Sequence, residues 1–166
     1  YRGIAEEAVN LIMKKLGKKS TCITANTPLP GAPEVSRTEI EKMSRENDIP
    51  VETVGHLAEI YGSQMKNVLS YIRTDKRLGN PISAGGRDIL AQIKHAVLEE
   101  EAVSVNDFIF RRSLIGMRPD QGRDAIDTVI QEMGYYLNWN ETEKRNQAAA
   151  FQHKAALGHL YKKQES

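Results

Sequence analysis

Cysteine is nearly absent: the 166 residues contain one, Cys22. A single thiol excludes a disulfide framework and leaves no thiolate cluster for zinc or iron–sulfur, and it fits a reducing compartment. Excess charge is lacking too. Lys and Arg number 23 against 22 Asp and Glu, a net of +1, so bulk charge gives no reason to expect nucleic acid as a partner. No apolar run approaches the roughly 20 residues that span a bilayer, and no signal peptide is visible. Alternation with period two never extends over a useful length, which excludes a confident sheet. The chain opens on Tyr1 with a helical pattern at once, so it is expected to be a piece of something longer.

What is present is helical periodicity, and the predicted class is all-α, a multi-helix domain of residues 1–166. Ile4, Ala8, Ile12 and Leu16 recur every fourth position, with Gly17 as a stop. Residues 18–35 carry Pro28, Pro30 and Pro33, which predicts an extended strap between the first and second helices, pegged by Ile23, Leu29 and Val35. Ser36 and Glu39 form a capping box before a helix that frays at Asn47-Asp48. Pro50 opens the next, with Val51, Val54, Leu57, Ala58 and Tyr61 on its apolar face, ended by Gly62. Ser63 is expected to cap a helix with Met65, Val68, Leu69 and Ile72 inward. A break between two helical subdomains, if present, falls at the polar connection 74–87.

The clearest stripe is Ile89, Leu90, Ile93, Ala96 and Val97, in a helix expected from Arg87 to Glu101. Ser104 begins a shorter helix with Phe108 and Ile109 buried, ending near Gly116. Pro119 is expected to start a long helix carrying Ala125, Ile126, Val129, Ile130 and Met133. Asn140 and Glu143 make a second capping box for a last helix with Phe151, Ala155 and Leu160.

Chemistry is sparse. Gly85-Gly86 lacks the preceding strand and third glycine of a dinucleotide fingerprint and reads as a flexible approach to a helix. The four histidines show no ligand spacing; His153 and His159, six apart, cannot share a metal on one helix face, and no metal site is assigned. Cys22 has only Lys18 and Lys19 near it and reads as a packed thiol. Residues 51–72 could be a helix-turn-helix, but only Gln64, Lys66, Asn67 and Arg73 are available to read DNA. Arg111-Arg112 has two readings: a clamp for an anion or carboxylate, or favourable charge at a helix C-terminus with a salt bridge to an acidic neighbour. The second is preferred, and the partner acid could lie on another domain.

Several stretches together resemble one family. Tyr1-Arg2 with Ile4-Ala5-Glu6-Glu7-Ala8-Val9 is similar to its opening helix, and Cys22-Ile23-Thr24 with Pro28-Leu29-Pro30-Gly31 to its strap. Leu57-Ala58-Glu59-Ile60-Tyr61-Gly62 matches another block. Ile93-Lys94-His95-Ala96-Val97, Ala102, Asp107 and Arg111-Arg112-Ser113 fit a fourth without a gap, and Leu137-Asn138-Trp139-Asn140-Glu141 resembles the approach to its last helix. The family is the FAD-dependent, quinone-linked glycerol-3-phosphate dehydrogenases and the related glycerophosphate oxidases, and the resemblance is to their C-terminal domain. Departures are His95 for tyrosine, Leu114 for arginine and Asn138 for glycine. The segment from Gly116 to Gly122 is also similar to a part of the anaerobic branch that carries cysteines, but none is present here.

The resemblance implies a parent enzyme that binds FAD upstream and oxidises sn-glycerol 3-phosphate to dihydroxyacetone phosphate, passing electrons to quinone, or to oxygen in an oxidase. It carries no catalytic residue onto this chain, and the segment alone is expected to bind no flavin. Tyr1 and Arg2 are candidates to lie behind the flavin's direct contacts, and Arg111 and Arg112 to touch another domain. Implied partners are the FAD-binding domain, a quinone or membrane surface and a second copy, in a cytoplasmic setting or at the inner face of a membrane. A stand-alone helical interaction module is the reading from a different class.

Overall fold

The computed structural model describes residues 1–19, 21–32 and 34–157. Pro33 of the expected strap, and His159 and Leu160 of the expected last helix, lie outside the described residues. Among the described residues eight α-helices follow one another: α1 (Arg2–Lys15), α2 (Arg37–Asn47), α3 (Val51–Tyr61), α4 (Met65–Thr74), α5 (Leu90–Glu99), α6 (Val105–Asp107), α7 (Ile126–Leu137) and α8 (Glu141–Leu157). The only extended pairing among those residues is an isolated bridge between Pro81 and Ile89. The all-α expectation holds.

One apolar cluster joins α2 through α8, with α5 packed between α4 and α7. Val54, Leu57, Met65, Val68, Ile93 and Met133 are completely buried there. Their spacing of three and four residues puts them on one side of each helix, so burial fixes how each helix is rotated. The 74–87 connection supplies Leu78 and Ile82 to the same cluster. Arg77, in the 3₁₀ turn Lys76–Gly79, reaches the buried carboxylate of Glu132 on α7.

Buried polar groups add specific ties. His56 on α3 donates from Nε2 to Asp88 Oδ1 at 2.9 Å, and Gln92 Nε2 donates to the same oxygen at 3.3 Å. Gln92 Oε1 in turn accepts from the Ile89 backbone N–H at 2.8 Å. Ile89 is extended, with φ −120° and ψ 158°, and pairs with Pro81. Helix α5 therefore begins at Leu90, not at Arg87, because the preceding residues are committed to that bridge.

Other boundaries also depart from expectation for physical reasons. Gln121 and Gly122 have φ of 56° and 85°, so residues 119–125 turn and α7 starts only at Ile126. A Cβ on Gly122 would lie 2.7 Å from Ile115 Cγ2, so this turn also needs a residue without a side chain. The helix begun at Ser104 widens into a π turn over Phe108–Arg112 and stops at the extended Ser113, before Gly116. Ser63 does not cap α4; its backbone N–H donates to Gly31 O at 3.2 Å. Val51 is exposed, whereas Thr53 and His56 take the inward positions of α3.

The two expected capping boxes form by half. Ser36 Oγ accepts from Glu39 N–H, but the Glu39 carboxylate pairs with Lys66. Asn140 Oδ1 accepts from Glu143 N–H, while Glu143 accepts from Gln147. A hydrogen bond to the backbone N–H is the part that satisfies an orphan donor, so both helices still start where the sequence signals.

Candidate functional site

The N-terminal end differs from the rest. No residue of α1 is buried. Its stripe Ile4, Ile12 and Leu16 is 76%, 55% and 62% exposed, and the strap residues Ile23 and Leu29 are exposed as well. The expected pegs Ile23 and Leu29 therefore have no seat in the core formed by the described residues; of the three, Val35 packs against it. Cys22 is likewise exposed rather than packed, with Sγ 3.1 Å from Thr24 Oγ1.

Helix and strap do meet each other. Arg2 Nη1 donates to Thr24 O at 2.6 Å, and a groove of about 550 Å³ between them is lined by Tyr1, Ala5, Val9, Ile23, Pro28 and Leu29 among others. The strap is clasped to the bundle at one close approach. A Cβ on Gly62 would lie 1.9 Å from Gly31 O, and one on Gly31 would lie 2.8 Å from Tyr61 O. Both glycines have positive φ, 54° at Gly62 and 83° at Gly31. Only residues lacking a side chain let the two backbones touch here.

Arg111 and Arg112 stand in a different groove, of about 400 Å³, with Tyr61, Glu100 and Leu114. The two guanidinium groups, adjacent in the π turn, take different partners. Arg111 pairs with Asp107 one turn back on its own helix. Arg112 donates from Nε and Nη2 to Glu100 O at 3.3 and 3.1 Å. Glu100 is the C-terminal cap residue of α5, so Arg112 satisfies a carbonyl at the negative end of that helix. Burial raises the pKa of the neighbouring Tyr61 phenol well above its ordinary range. Arg111 and Arg112 thus line one groove but engage different partners, and Tyr1 and Arg2 stand on a separate surface.

A residue set absent from the sequence reading is Arg77, Glu132 and Tyr136. Tyr136 Oη donates to Glu132 Oε1 at 3.0 Å, beside the Arg77 fork. Burial, then the Glu132 carboxylate, raise the Tyr136 pKa. No local signal marks Arg77 and Glu132 as partners, because they are 55 residues apart. His153 is exposed, and among the described residues no group of three or more His, Cys, Asp or Glu side chains is arranged to hold a metal. Nor is any described helix long and apolar enough to cross a membrane.

Residues 22–144 match the model of the C-terminal domain of alpha-glycerophosphate oxidase. A glycerol-3-phosphate dehydrogenase of Synechocystis is 30% identical over 86% of this chain and 26% of its own length. A probable mitochondrial glycerol-3-phosphate dehydrogenase of Dictyostelium discoideum is 27% identical over 89% of this chain and 23% of its own. The chain thus spans about a quarter of the length of these relatives. Among solved structures, the glycerol-3-phosphate dehydrogenase from Bacillus halodurans complexed with FAD shares the fold, with TM-score 0.75 at 22% identity, over 93% of this chain and 33% of that one. The matched span runs from the strap through α7 into α8, and on it the chain belongs to the family of C-terminal domains of alpha-glycerophosphate oxidase.

Proposed function

We propose that this chain serves as the C-terminal helical domain of an FAD-dependent enzyme that oxidises sn-glycerol 3-phosphate to dihydroxyacetone phosphate and passes the electrons to quinone. The observation that carries the reading is the bare apolar side of α1 and the strap. Ile4, Ile12, Leu16, Ile23 and Leu29 are each more than half exposed, an arrangement that suits docking on a neighbouring body. Family membership and the greater length of the relatives support the same reading.

The described residues do not fit FAD by themselves. Gly85-Gly86 follows a bend and not a strand, and no parallel sheet is present among the described residues to offer a dinucleotide crevice. The flavin and the reacting groups would belong to another part of the parent. This domain's duties are to cover apolar surface of that body and to fix the position of its docking face. Tyr1 and Arg2, at the α1 N-terminus, would lie behind the flavin's direct contacts. Arg111, whose side chain is 71% exposed, is the better placed of the arginine pair for an interdomain acid. Quinone access, dimerisation and peripheral attachment to the inner face of a cytoplasmic membrane are further parts of this proposal.

The test is the full-length parent, purified and assayed with glycerol 3-phosphate and a quinone analogue. Bound flavin and substrate-dependent quinone reduction are expected. A parent without flavin refutes the proposal, and peroxide release without need for quinone replaces the dehydrogenase by the oxidase. Arg2→Ala leaving flavin potential and turnover unchanged would remove Arg2 from any special part.

A further inference from the structure

We propose that the lysine groove at the C-terminal end of α1 is a docking surface for a bilayer of anionic phospholipid. Its volume is about 650 Å³, and Asn10, Met13, Lys14, Lys18, Lys19 and Thr21 line it. The surface would make the peripheral attachment named above, and the assignment rests on that part of the reading.

Charge singles out this place. The 24 residues from Asn10 to Pro33 hold four lysines and neither Asp nor Glu. The whole chain nets +1, so everything outside that stretch sums to −3. Lys14, Lys18 and Lys19 are exposed, and none has an acidic partner among the described residues. Gly17, with φ 65°, turns the chain after the helix, and the two lysines beyond it line the same groove as Lys14. Lysines near a helix end often serve only its dipole. Here the carbonyls of Ile12, Met13 and Lys14 already accept from the backbone N–H groups of Leu16, Lys18 and Gly17. The ammonium groups are left for another anion.

The chemistry favours a lipid surface. An ammonium on a flexible stem is a mobile point charge, suited to a plane of phosphates more than to one fixed anion. The stretch has no Arg and no aromatic residue, so it lacks the forks and stacking faces with which proteins hold nucleic acid. Apolar atoms lie beside the charge: Met13 lines the groove, and Leu11 on α1 is 57% exposed. Space agrees as well. At about 3.6 residues per turn, Asn10 and Lys14 stand across α1 from Ile12 and Leu16. Docking of that stripe on the parent body would leave the lysine groove on the far side. Lys15 falls on the stripe side and has no part in it.

The experiment sediments the full-length parent with vesicles of phosphatidylcholine, pure or with about a quarter phosphatidylglycerol. Flavin content and turnover with a soluble dye are measured on the same preparations. Binding only to the anionic vesicles is expected, and it should fall steeply as salt rises. The triple change Lys14→Gln, Lys18→Gln and Lys19→Gln should weaken it by about a hundredfold, about fivefold for each charge, with flavin and dye turnover unchanged. The corresponding three changes to Arg should keep it. Equal binding to neutral vesicles, full binding by the Gln variant or loss in the Arg variant overturns the docking surface. So does retention of duplex DNA without binding to vesicles. A parent that holds no flavin yet binds anionic vesicles through these lysines refutes the enzyme reading and leaves the surface standing.

Discussion

Arg77 grips Glu132 with both ends of its guanidinium, Nη1 to Oε2 at 2.7 Å and Nη2 to Oε1 at 2.9 Å. The pair ties the loop after α4 to the middle of α7, and Glu132 is the buried partner, at 8% exposure. Removing the arginine would leave that carboxylate without its counter-charge. Arg77→Ala is expected to cost about 2 kcal/mol, below the range for a fully buried pair because Arg77 is half exposed. Arg77→Lys should recover only part, since an ammonium cannot present a fork. Urea unfolding midpoints check both, and an unchanged midpoint for Arg77→Ala would show that Glu132 finds other partners.

Two glycine substitutions should act in opposite directions. Gly62→Ala places a Cβ against Gly31 O at a backbone with φ 54°, so a loss of at least about 2 kcal/mol is expected. Gly55 lies inside α3 with nothing within 4 Å of its absent Cβ. There the same change should add about 0.5–1 kcal/mol by restricting the unfolded chain and favouring the helix. Thermal melts of the two variants decide it.

Acid stability should depend on Asp107. Burial raises its pKa, but hydrogen bonds from Ser104 and the charge of Arg111 outweigh that, and the net shift is below the ordinary 3.8. A carboxyl whose folded pKa is depressed stabilises the fold above its unfolded value and loses that contribution as pH falls through the folded one. Stability should therefore drop as pH falls from about 4 downward, and Asp107→Asn should flatten that part of the profile. Identical acid profiles for the two proteins would exclude Asp107 as a source.

The core and the N-terminal stripe should separate cleanly under mutation. Leu57→Ala or Ile93→Ala removes a completely buried side chain and should cost about 2–5 kcal/mol. Ile4→Ser and Ile12→Ser remove exposed ones and should change the stability of this chain by no more than about 0.5 kcal/mol. In the full-length parent the same pair should weaken domain docking, read as increased proteolysis between the two parts.

Periodicity made α3, α4 and the stripe of α5 legible, because Val54, Leu57, Val68, Leu69, Ile93 and Ala96 alternate with polar residues at helical spacing and all are buried. It failed where a polar residue turns inward to a distant partner. His56 finds Asp88 at a separation of 32 residues, and no window short enough to show a helix contains both. Backbone exceptions were also hidden. Pro119 is a sound helix-start signal, yet Gln121 and Gly122 turn left-handed directly after it. The strap was legible as non-helical but not as bare, since the apolar spacing of Ile23 and Leu29 does not say which surface receives them. Arg111 and Arg112 were found, whereas no local pattern announced the π turn that carries them.

A helix of 14 residues with every side chain wetted has little beyond its own backbone to hold it, and that length is marginal in water. Amide protons in α1 should then exchange through fraying, hours ahead of those in α5, which must await opening of the whole bundle. Slowing of that exchange would serve as a built-in gauge of engagement with a larger assembly, readable without any label.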